Sequence, residues 1–358
     1  MVVEEFIPNK KFKFIDHAIV SSESPSNIAL VKYWGKIPIQ IPANPSISFT
    51  LNKCKTTTSI SFQKKASKGI SFKFFFDGLL KDSFKPKIQN FFKRIIPFCP
   101  YIEDYSLEIN TKNTFPHSSG IASSASGLSA LAMCIVQFES LLDSDMEIGF
   151  IKRKASFLAR LGSGSACRSI EGGLVVWGQH KEVVGSTDLL GVKYPFEVHP
   201  VFLDYLDTIL LVDKGQKQVS SSLGHDLMHK HPFGPQRFDQ AHRHISKLIP
   251  IFKTGDLSNF IKIVELEALT LHAMMMSSDP YFILMKPNTI NIINEIWKFR
   301  NLTNTPLCFT LDAGSNVHLL YPKSSLKQVT KFIENCLSKY CQDGQFINDQ
   351  VGNGAQSL

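Results

Sequence analysis

Residues 106–138 run from a short alternating strand, through a loop of small residues, into a helix. The loop is Pro116-His117-Ser118-Ser119-Gly120-Ile121-Ala122-Ser123-Ser124-Ala125-Ser126, and beyond it Ala125, Leu128, Leu131, Ala132 and Ile135 recur at three- and four-residue intervals. No other segment constrains the fold as strongly. A strand, loop and buried helix in succession need a sheet to pack on. The small residues let the backbone approach a ligand while the helix aims its first amide hydrogens outward, which is the form of a phosphate cradle. The loop lacks the lysine-bearing P-loop pattern, and a serine-rich capped helix start has the same composition.

Around that unit, residues 17–62 alternate apolar and polar positions and include the β-branched run Lys55-Thr56-Thr57-Thr58-Ser59-Ile60-Ser61-Phe62, so the first third is predicted to be sheet. Residues 72–76 read as a strand, Asp77-Gly78 as a hairpin turn, and 85–96 as a helix stopped by Pro97 and Pro100. A second helix at 148–161 leads into a glycine-serine turn, then Gly172-Gly173 and a strand at 174–177. The character changes near residue 200. After it come a strand at 209–213, helices near 236–249, 256–276 and 288–300, paired strands at 308–312 and 317–321, and a last helix at 325–340. The chain is therefore expected to be α+β with two joined lobes, residues 1–200 and 201–345, and a disordered glycine-rich tail, 346–358.

Composition narrows the functional classes. With 358 residues, 43% hydrophobic and 20% charged, the chain can bury a large core. Its net charge of +8 favours anionic ligands but is spread along the chain, and its 28 phenylalanines read as core, so nucleic-acid binding is not expected. The seven cysteines are odd in number and form no C-x-x-C pair, so neither a disulfide framework nor a cysteine zinc site is indicated and a reducing cytoplasm fits. The N-terminus carries Glu4 and Glu5 where a signal peptide would be basic. The most apolar stretch, 128–138, is about half the ~20 residues a membrane span needs, so a soluble protein with no membrane partner is expected.

Other segments carry side chains capable of chemistry. Gly162-Ser163-Gly164-Ser165-Ala166-Cys167-Arg168-Ser169 combines hydroxyls, free amides and an arginine able to grip a carboxylate or phosphate with two nitrogens, although a flexible glycine turn reads the same. Asn27 to Lys36 places Lys32, Tyr33 and Lys36 after an apolar strand. Asp312 ends another strand before Ala313-Gly314, a context also typical of a plain turn. His225, His229, His231, His242 and His244 suggest a metal, but without a HExxH arrangement they read as a polar segment and no zinc is expected.

Taken together, four motifs resemble the GHMP small-molecule kinase superfamily and, within it, the diphosphomevalonate decarboxylases. They are Asn27-Ile-Ala-Leu-Val-Lys-Tyr-Trp-Gly-Lys36, Pro116 to Ser126, Arg160-Leu-Gly-Ser-Gly-Ser-Ala-Cys-Arg-Ser169 with Gly172-Gly173, and Asp312-Ala-Gly-Ser-Asn316. The resemblance spans residues 17–340. It implies a GHMP kinase fold, with an N-terminal ribosomal-protein-S5-like α/β lobe and a C-terminal ferredoxin-like lobe enclosing the site, in a homodimer. It also implies ATP-dependent conversion of mevalonate 5-diphosphate to isopentenyl diphosphate through 3-phosphorylation, with magnesium.

By the same resemblance Asp312, Lys32 and Arg168 are catalytic. Asp312 would act on the 3-hydroxyl, Lys32 would keep that carboxylate ionised, and Arg168 would clamp the substrate carboxylate. Asn27, Tyr33, Lys36, Ser163, Gly164, Ser165 and Ser221 would bind the rest of the substrate. Pro116, Gly120, Ile121, Ala122, Ser123, Ser124 and Ala125 would hold ATP, with Ser123 and Ser124 near the magnesium.

The chain departs from the family pattern in places. Ser222 stands where many members carry a diphosphate-gripping arginine, and His225 where they carry methionine; His117-Ser118-Ser119 and Asn44-Pro45-Ser46 also differ. Positive charge on His225 below about pH 6.5, or a reach from Lys217, would compensate. Two other readings remain at this stage: a relative acting on a monophosphate or unphosphorylated mevalonate, and a non-catalytic binding protein on the same fold.

Overall fold

The computed structural model describes residues 2–9, 12–116, 121–215 and 221–358, and for residues 221 and 222 the backbone only. Strand β1 (His17–Val31) leads through a small hairpin, β2 (Lys36–Ile37) and β3 (Ile41–Pro42), into β4 (Ser46–Lys64), which returns antiparallel along β1. The β-branched run at residues 55–62 falls within β4, where branched side chains fit a pleated surface. The β1–β4 register shifts between Pro25 and Asn27 and between Ala29 and Val31, so the end of β1 is re-aimed where the functional residues begin.

The sheet continues through β5 (Ser71–Phe76), β6 (Leu79–Leu80) and β7 (Tyr105–Asn113), with β5 parallel to β7. Helix α1 (Lys85–Ile95) lies between them in sequence and buries Ile88, Phe91, Phe92 and Ile95, the spacing read from the sequence. Helices α2 (Ser123–Leu142) and α3 (Ile148–Gly162) follow, then β8 (Leu174–Trp177) and β9 (Val192–Lys193), which join through β4.

Helix α2 is 20 residues long, which by length and composition would cross a membrane, and it exceeds the apolar stretch read from the sequence. It is a core helix. Hydroxyls of the sheet stitch it in place: Ser22 Oγ donates to Ala130 O at 2.7 Å, Ser24 Oγ lies 2.5 Å from Ser129 Oγ, and Thr56 Oγ1 lies 2.7 Å from Ser126 Oγ. Small residues let helix and sheet approach, and every buried hydroxyl in these contacts has a partner.

The second half begins with β10 (Leu206–Leu210), α4 (Ser221–Leu227), α5 (Gly234–Thr254), α6 (Leu257–Met276) and α7 (Pro287–Thr303). It ends with β11 (Cys308–Thr310), β12 (Val317–Tyr321), α8 (Leu326–Phe332), β13 (Phe346–Gln350) and β14 (Gln356–Ser357). A four-stranded antiparallel sheet has the order β11-β12-β10-β13. Leu206 and Leu210 turn one face toward Ile293 of α7 and Phe332 of α8, while Ile209 and Leu320 turn the other toward Ile28 and Phe49 of the first sheet and Val264 of α6. That alternation joins the two halves through one apolar layer. The helix expected at 325–340 is instead α8, a π turn Ile333–Leu337 and a 3-10 turn Ser338–Tyr340; the wider turn keeps Ile333 and Leu337 buried.

The tail corrects the sequence expectation most plainly. Residues 346–358 are ordered: β13 pairs with β10, and β14 pairs with β1. The Asp349 carboxylate accepts the amides of Asn52, Lys53 and Cys54 at 2.7–2.9 Å. The glycines serve close approach rather than flexibility, since a Cβ on Gly354 would stand 2.1 Å from Ile170 O.

Candidate functional site

Lys32 follows directly on the end of β1 and is almost wholly buried, and its Nζ donates to Asp312 Oδ1 at 3.0 Å across 280 residues of sequence. Asp312 sits in the turn after β11, where Gly314 N–H donates to its carbonyl at 2.7 Å and His272 Nε2 lies 3.2 Å from that same oxygen. Burial lowers the Lys32 pKa, opposed by the Asp312 carboxylate. A lysine, a carboxylate and a cleft thus share one wall.

Arg168 belongs to the 3-10 turn Gly164–Ser169 that follows α3. Its Nε and Nη2 donate to Asn27 Oδ1 at 3.3 Å each and its Nη1 to Ser46 Oγ at 2.5 Å, while Asn27 Nδ2 donates to Ser169 Oγ at 2.8 Å. The guanidinium faces the Trp177 ring, 6.0 Å from its centroid. No carboxylate among the described residues forms a salt bridge with it. Burial pulls its pKa below the ordinary 12.5, yet a guanidinium keeps its proton at neutral pH. A buried cation held only by neutral acceptors favours an anionic ligand strongly.

Tyr33, Lys36, Ser163, Gly164 and Ser165 line the same cleft. The Tyr33 ring packs against Trp177 at 4.6 Å and His225 at 4.2 Å, and burial raises its phenol pKa well above the usual range. Gly164 is required by this packing, because a Cβ there would stand 2.6 Å from Trp177 and 3.0 Å from Tyr33 Oη. Lys36 Nζ lies 3.5 Å from Asp226 Oδ1. His225 is buried, its Nδ1 accepts the Gly35 amide at 3.0 Å, and burial first, then Lys36 and Arg168, pushes its pKa down to about 3. The expectation that a protonated His225 supplies charge is therefore corrected: the ring is neutral. Lys217 lies outside the described residues.

The cleft, about 890 Å³, continues past Lys32 and Arg168 to the head of α2 and on to a shelf of Phe74, Phe76, Phe84 and Ile88. Ala122 precedes the helix in the left-handed region (φ 47°) and no side chain caps α2. Ala122, Ser123 and Ser124 face the cleft, and the Ser123 hydroxyl is buried with no hydrogen-bond partner among the described residues. An orphaned hydroxyl beside uncapped helix amides fits a phosphate or a phosphate-bound cation. Ile121 and Ala125 turn their side chains into the core instead, and Pro116 does not line the cleft. Gly120 and the side chain of Ser221 lie outside the described residues.

Three buried residues support the site, of which Glu267 and Arg237 carry no sequence signal and His244 reads in the sequence only as one of a polar group of histidines. Glu267 on α6 accepts the Lys32 backbone amide at 2.8 Å; Arg237 on α5 donates to both Glu267 oxygens at 2.5 and 3.0 Å and to Lys32 O at 3.1 Å. His244 Nδ1 lies 2.5 Å from Glu267 Oε1. Burial alone would raise the Glu267 pKa, but Arg237, His244 and the Lys32 amide hold it below the ordinary carboxylate value. Asn44 Nδ2 adds a bond to Lys32 O at 2.9 Å. The peptide unit carrying Lys32 is thus clamped on both its N–H and C=O, by helices whose sequence shows only ordinary amphipathic spacing. Two of the other histidines have separate partners: His231 Nε2 lies 3.0 Å from Met274 O, and His242 stacks on His180 at 5.4 Å.

Comparison with known proteins gives a consistent family likeness. One family model, the diphosphomevalonate decarboxylase-like N-terminal domain, matches residues 24–188, and another, the mevalonate 5-diphosphate decarboxylase C-terminal domain, matches residues 208–356. A diphosphomevalonate decarboxylase of Ganoderma lucidum is 28% identical over 351 residues, covering 93% of this chain and 84% of the relative. The solved mevalonate diphosphate decarboxylase from Staphylococcus aureus superimposes with a TM-score of 0.82 at 26% identity, covering 96% of this chain and 98% of its own. MDDEF, solved in complex with MVAPP, AMPPCP and magnesium, gives a TM-score of 0.81 at 26% identity, covering 96% of this chain and 99% of its own.

Proposed function

The chain belongs to the diphosphomevalonate decarboxylase family, and from that premise we propose that it converts mevalonate 5-diphosphate and ATP to isopentenyl diphosphate, ADP, phosphate and carbon dioxide. The observation that carries this reading is the buried Arg168, which forms no salt bridge among the described residues, in one cleft with the Lys32–Asp312 pair. A substrate carboxylate complements the guanidinium, and the 3-hydroxyl beside it then meets Asp312.

In this reading Asp312 orients the hydroxyl and takes its proton as the oxygen attacks the γ-phosphorus of ATP. Lys32 holds Asp312 ionised and offsets charge on the transferring group. The new 3-phosphate leaves with the C3–O electrons; the bond to the carboxyl carbon then supplies the pair that forms the alkene, releasing carbon dioxide. Arg168 and Asn27 keep the carboxylate ionised and oriented until it departs. Tyr33, Lys36, Ser163, Gly164, Ser165 and Ser221 bind the 5-diphosphate, whose binding energy fixes the reacting end. By the motif resemblance Pro116, Gly120, Ile121 and Ala125 belong to the ATP loop, and Ala122, Ser123 and Ser124 line the cleft there.

A relative solved with AMPPCP and magnesium supports the ATP and magnesium requirement, and the orphaned Ser123 hydroxyl fits such a cation or its phosphates. Magnesium, when bound, neutralises the phosphate oxygens, with Ser123 and Ser124 as nearby hydroxyl ligands. We assign residues 1–200 to the lobe bearing the ATP loop and residues 201–345, together with β13 of the ordered tail, to the lobe bearing Asp312. The seven free thiols support a cytoplasmic setting, and the homodimer implied by the motif resemblance is tested by sedimentation.

The direct test offers purified protein mevalonate, its 5-phosphate and its 5-diphosphate while ADP and carbon dioxide are measured together. Matched ADP and carbon dioxide from the diphosphate are expected. ADP without carbon dioxide would assign a 3-kinase instead, and preference for the monophosphate a different substrate.

A further inference from the structure

We propose that His225 reads the phosphate end of the substrate as a neutral hydrogen-bond donor, through Nε2–H, and so helps set the preference for a diphosphate over a monophosphate. This rests on the reading that the diphosphate lies against Tyr33, Lys36, Ser163 and Ser165.

The tautomer follows from the contacts. Nδ1 accepts the Gly35 amide at 3.0 Å, so its lone pair is used and the single hydrogen of the neutral ring sits on Nε2. The ring orientation is fixed by packing. Tyr33 and Trp34 lie 4.2 and 4.7 Å away, centroid to centroid, and α4 seats so closely on Trp34 that a Cβ on Gly224 would stand 2.5 Å from the indole. The imidazole lines the cleft beside Tyr33, Lys36, Ser163 and Ser165 while only 8% exposed.

A neutral donor suits this position physically. Lys36 and Arg168 already bring positive charge, and burial together with these two cations keeps the imidazole unprotonated. A rigid N–H that a bound ligand closes off from water without offering it an acceptor is penalised, so a substrate lacking the matching phosphate oxygen is discriminated against. The discrimination comes from a directed hydrogen bond rather than from added charge.

The test compares His225→Asn and His225→Gln. The asparagine amide reaches the Nδ1 position and loses the Nε2 donor, whereas the glutamine amide reaches the Nε2 position. For His225→Asn, kcat/KM for the diphosphate should fall roughly 10- to 100-fold while that for the monophosphate changes less than about threefold; His225→Gln should recover most of the loss. A wild-type-like His225→Asn, an equal loss with both substrates, or a glutamine variant worse than asparagine would overturn the proposal.

A measurement on the wild-type chain covers the case in which the variants do not fold. With 15N-labelled histidine, the His225 signal should report hydrogen on Nε2, and that resonance should move on titration with inorganic pyrophosphate. Hydrogen on Nδ1, or no movement at saturating pyrophosphate, overturns it. Absence of carbon dioxide release by the wild type would instead remove the decarboxylase reading and leave the pyrophosphate titration to judge His225.

Discussion

Lys32 Nζ stands 3.0 Å from Asp312 Oδ1, joining the end of the first long strand to a turn 280 residues later. The pair has unequal burial, the lysine side chain 2% and the aspartate 26% exposed, so the carboxylate is the member that meets a ligand. In the proposed function this carboxylate is the proton acceptor and the buried ammonium behind it keeps it ionised.

Asp312→Asn should lower kcat by roughly 10²- to 10⁴-fold with little change in the KM for ATP, because the loss falls on the reacting hydroxyl. Steady-state kinetics with both substrates varied checks it. Since burial lowers the Lys32 pKa from 10.5, activity that needs the protonated amine should fail on the alkaline side at a pH below 10.5. Lys32→Arg should move that limb upward, because a guanidinium stays charged.

Arg168→Lys removes the fork that engages Asn27 and Ser46 while keeping a positive charge. We expect kcat/KM for the mevalonate substrate to fall on the order of 10²-fold, as when a buried, hydrogen-bonded charge loses its fit, with the KM for ATP nearly unchanged. Separate measurement of the two KM values decides this, and an equal rise in both would contradict it.

Glu267→Gln breaks the buried pair with Arg237 and loosens the clamp on Lys32. The expected cost is about 3–5 kcal/mol of stability, read by denaturant unfolding. Because the folded-state pKa of Glu267 lies below its ordinary 4.5, the wild-type advantage is fully present above pH 4.5 and disappears as pH falls through the depressed value. Stability curves of the two proteins should therefore converge in acid.

Asp349→Ala leaves the amides of Asn52, Lys53 and Cys54 without their acceptor, a loss of about 1–3 kcal/mol for each group that water does not reach. A lowered melting temperature with a near-normal kcat below the transition is expected. Truncation after residue 345 should be worse, since it also strips β13 from β10, and soluble yield measures it.

Much of the site was legible in the chain because it is written in short motifs. The motifs at residues 27–36, 160–169 and 312–316, through their resemblance to a known family, pointed to Asn27, Lys32, Arg168 and Asp312, and the structure gathers these four in one cleft. Glu267 and Arg237 carry no such signal, and His244 reads only as one of a polar group of histidines, because each occupies an ordinary helical position and only the crossing of α5, α6 and the end of β1 makes them partners. Ile121 and Ala125, grouped with the ATP loop by their place in a motif, turn their side chains into the core.

Local chemistry was enough to place the sheet-rich first third, the small-residue loop with its apolar helix, and the hairpin at Asp77-Gly78, because periodicity and turn preferences act between near neighbours. Folding alone settled the rest. The neutrality of His225 depends on its desolvation beside Lys36 and Arg168, and the partly open carboxylate of Asp312 on how Lys32 is buried behind it. The tail's order depends on an edge of β10 that only the assembled sheet presents. Burial, pairing and field strength at a residue are sums over atoms distant in sequence, so no window of the chain contains them.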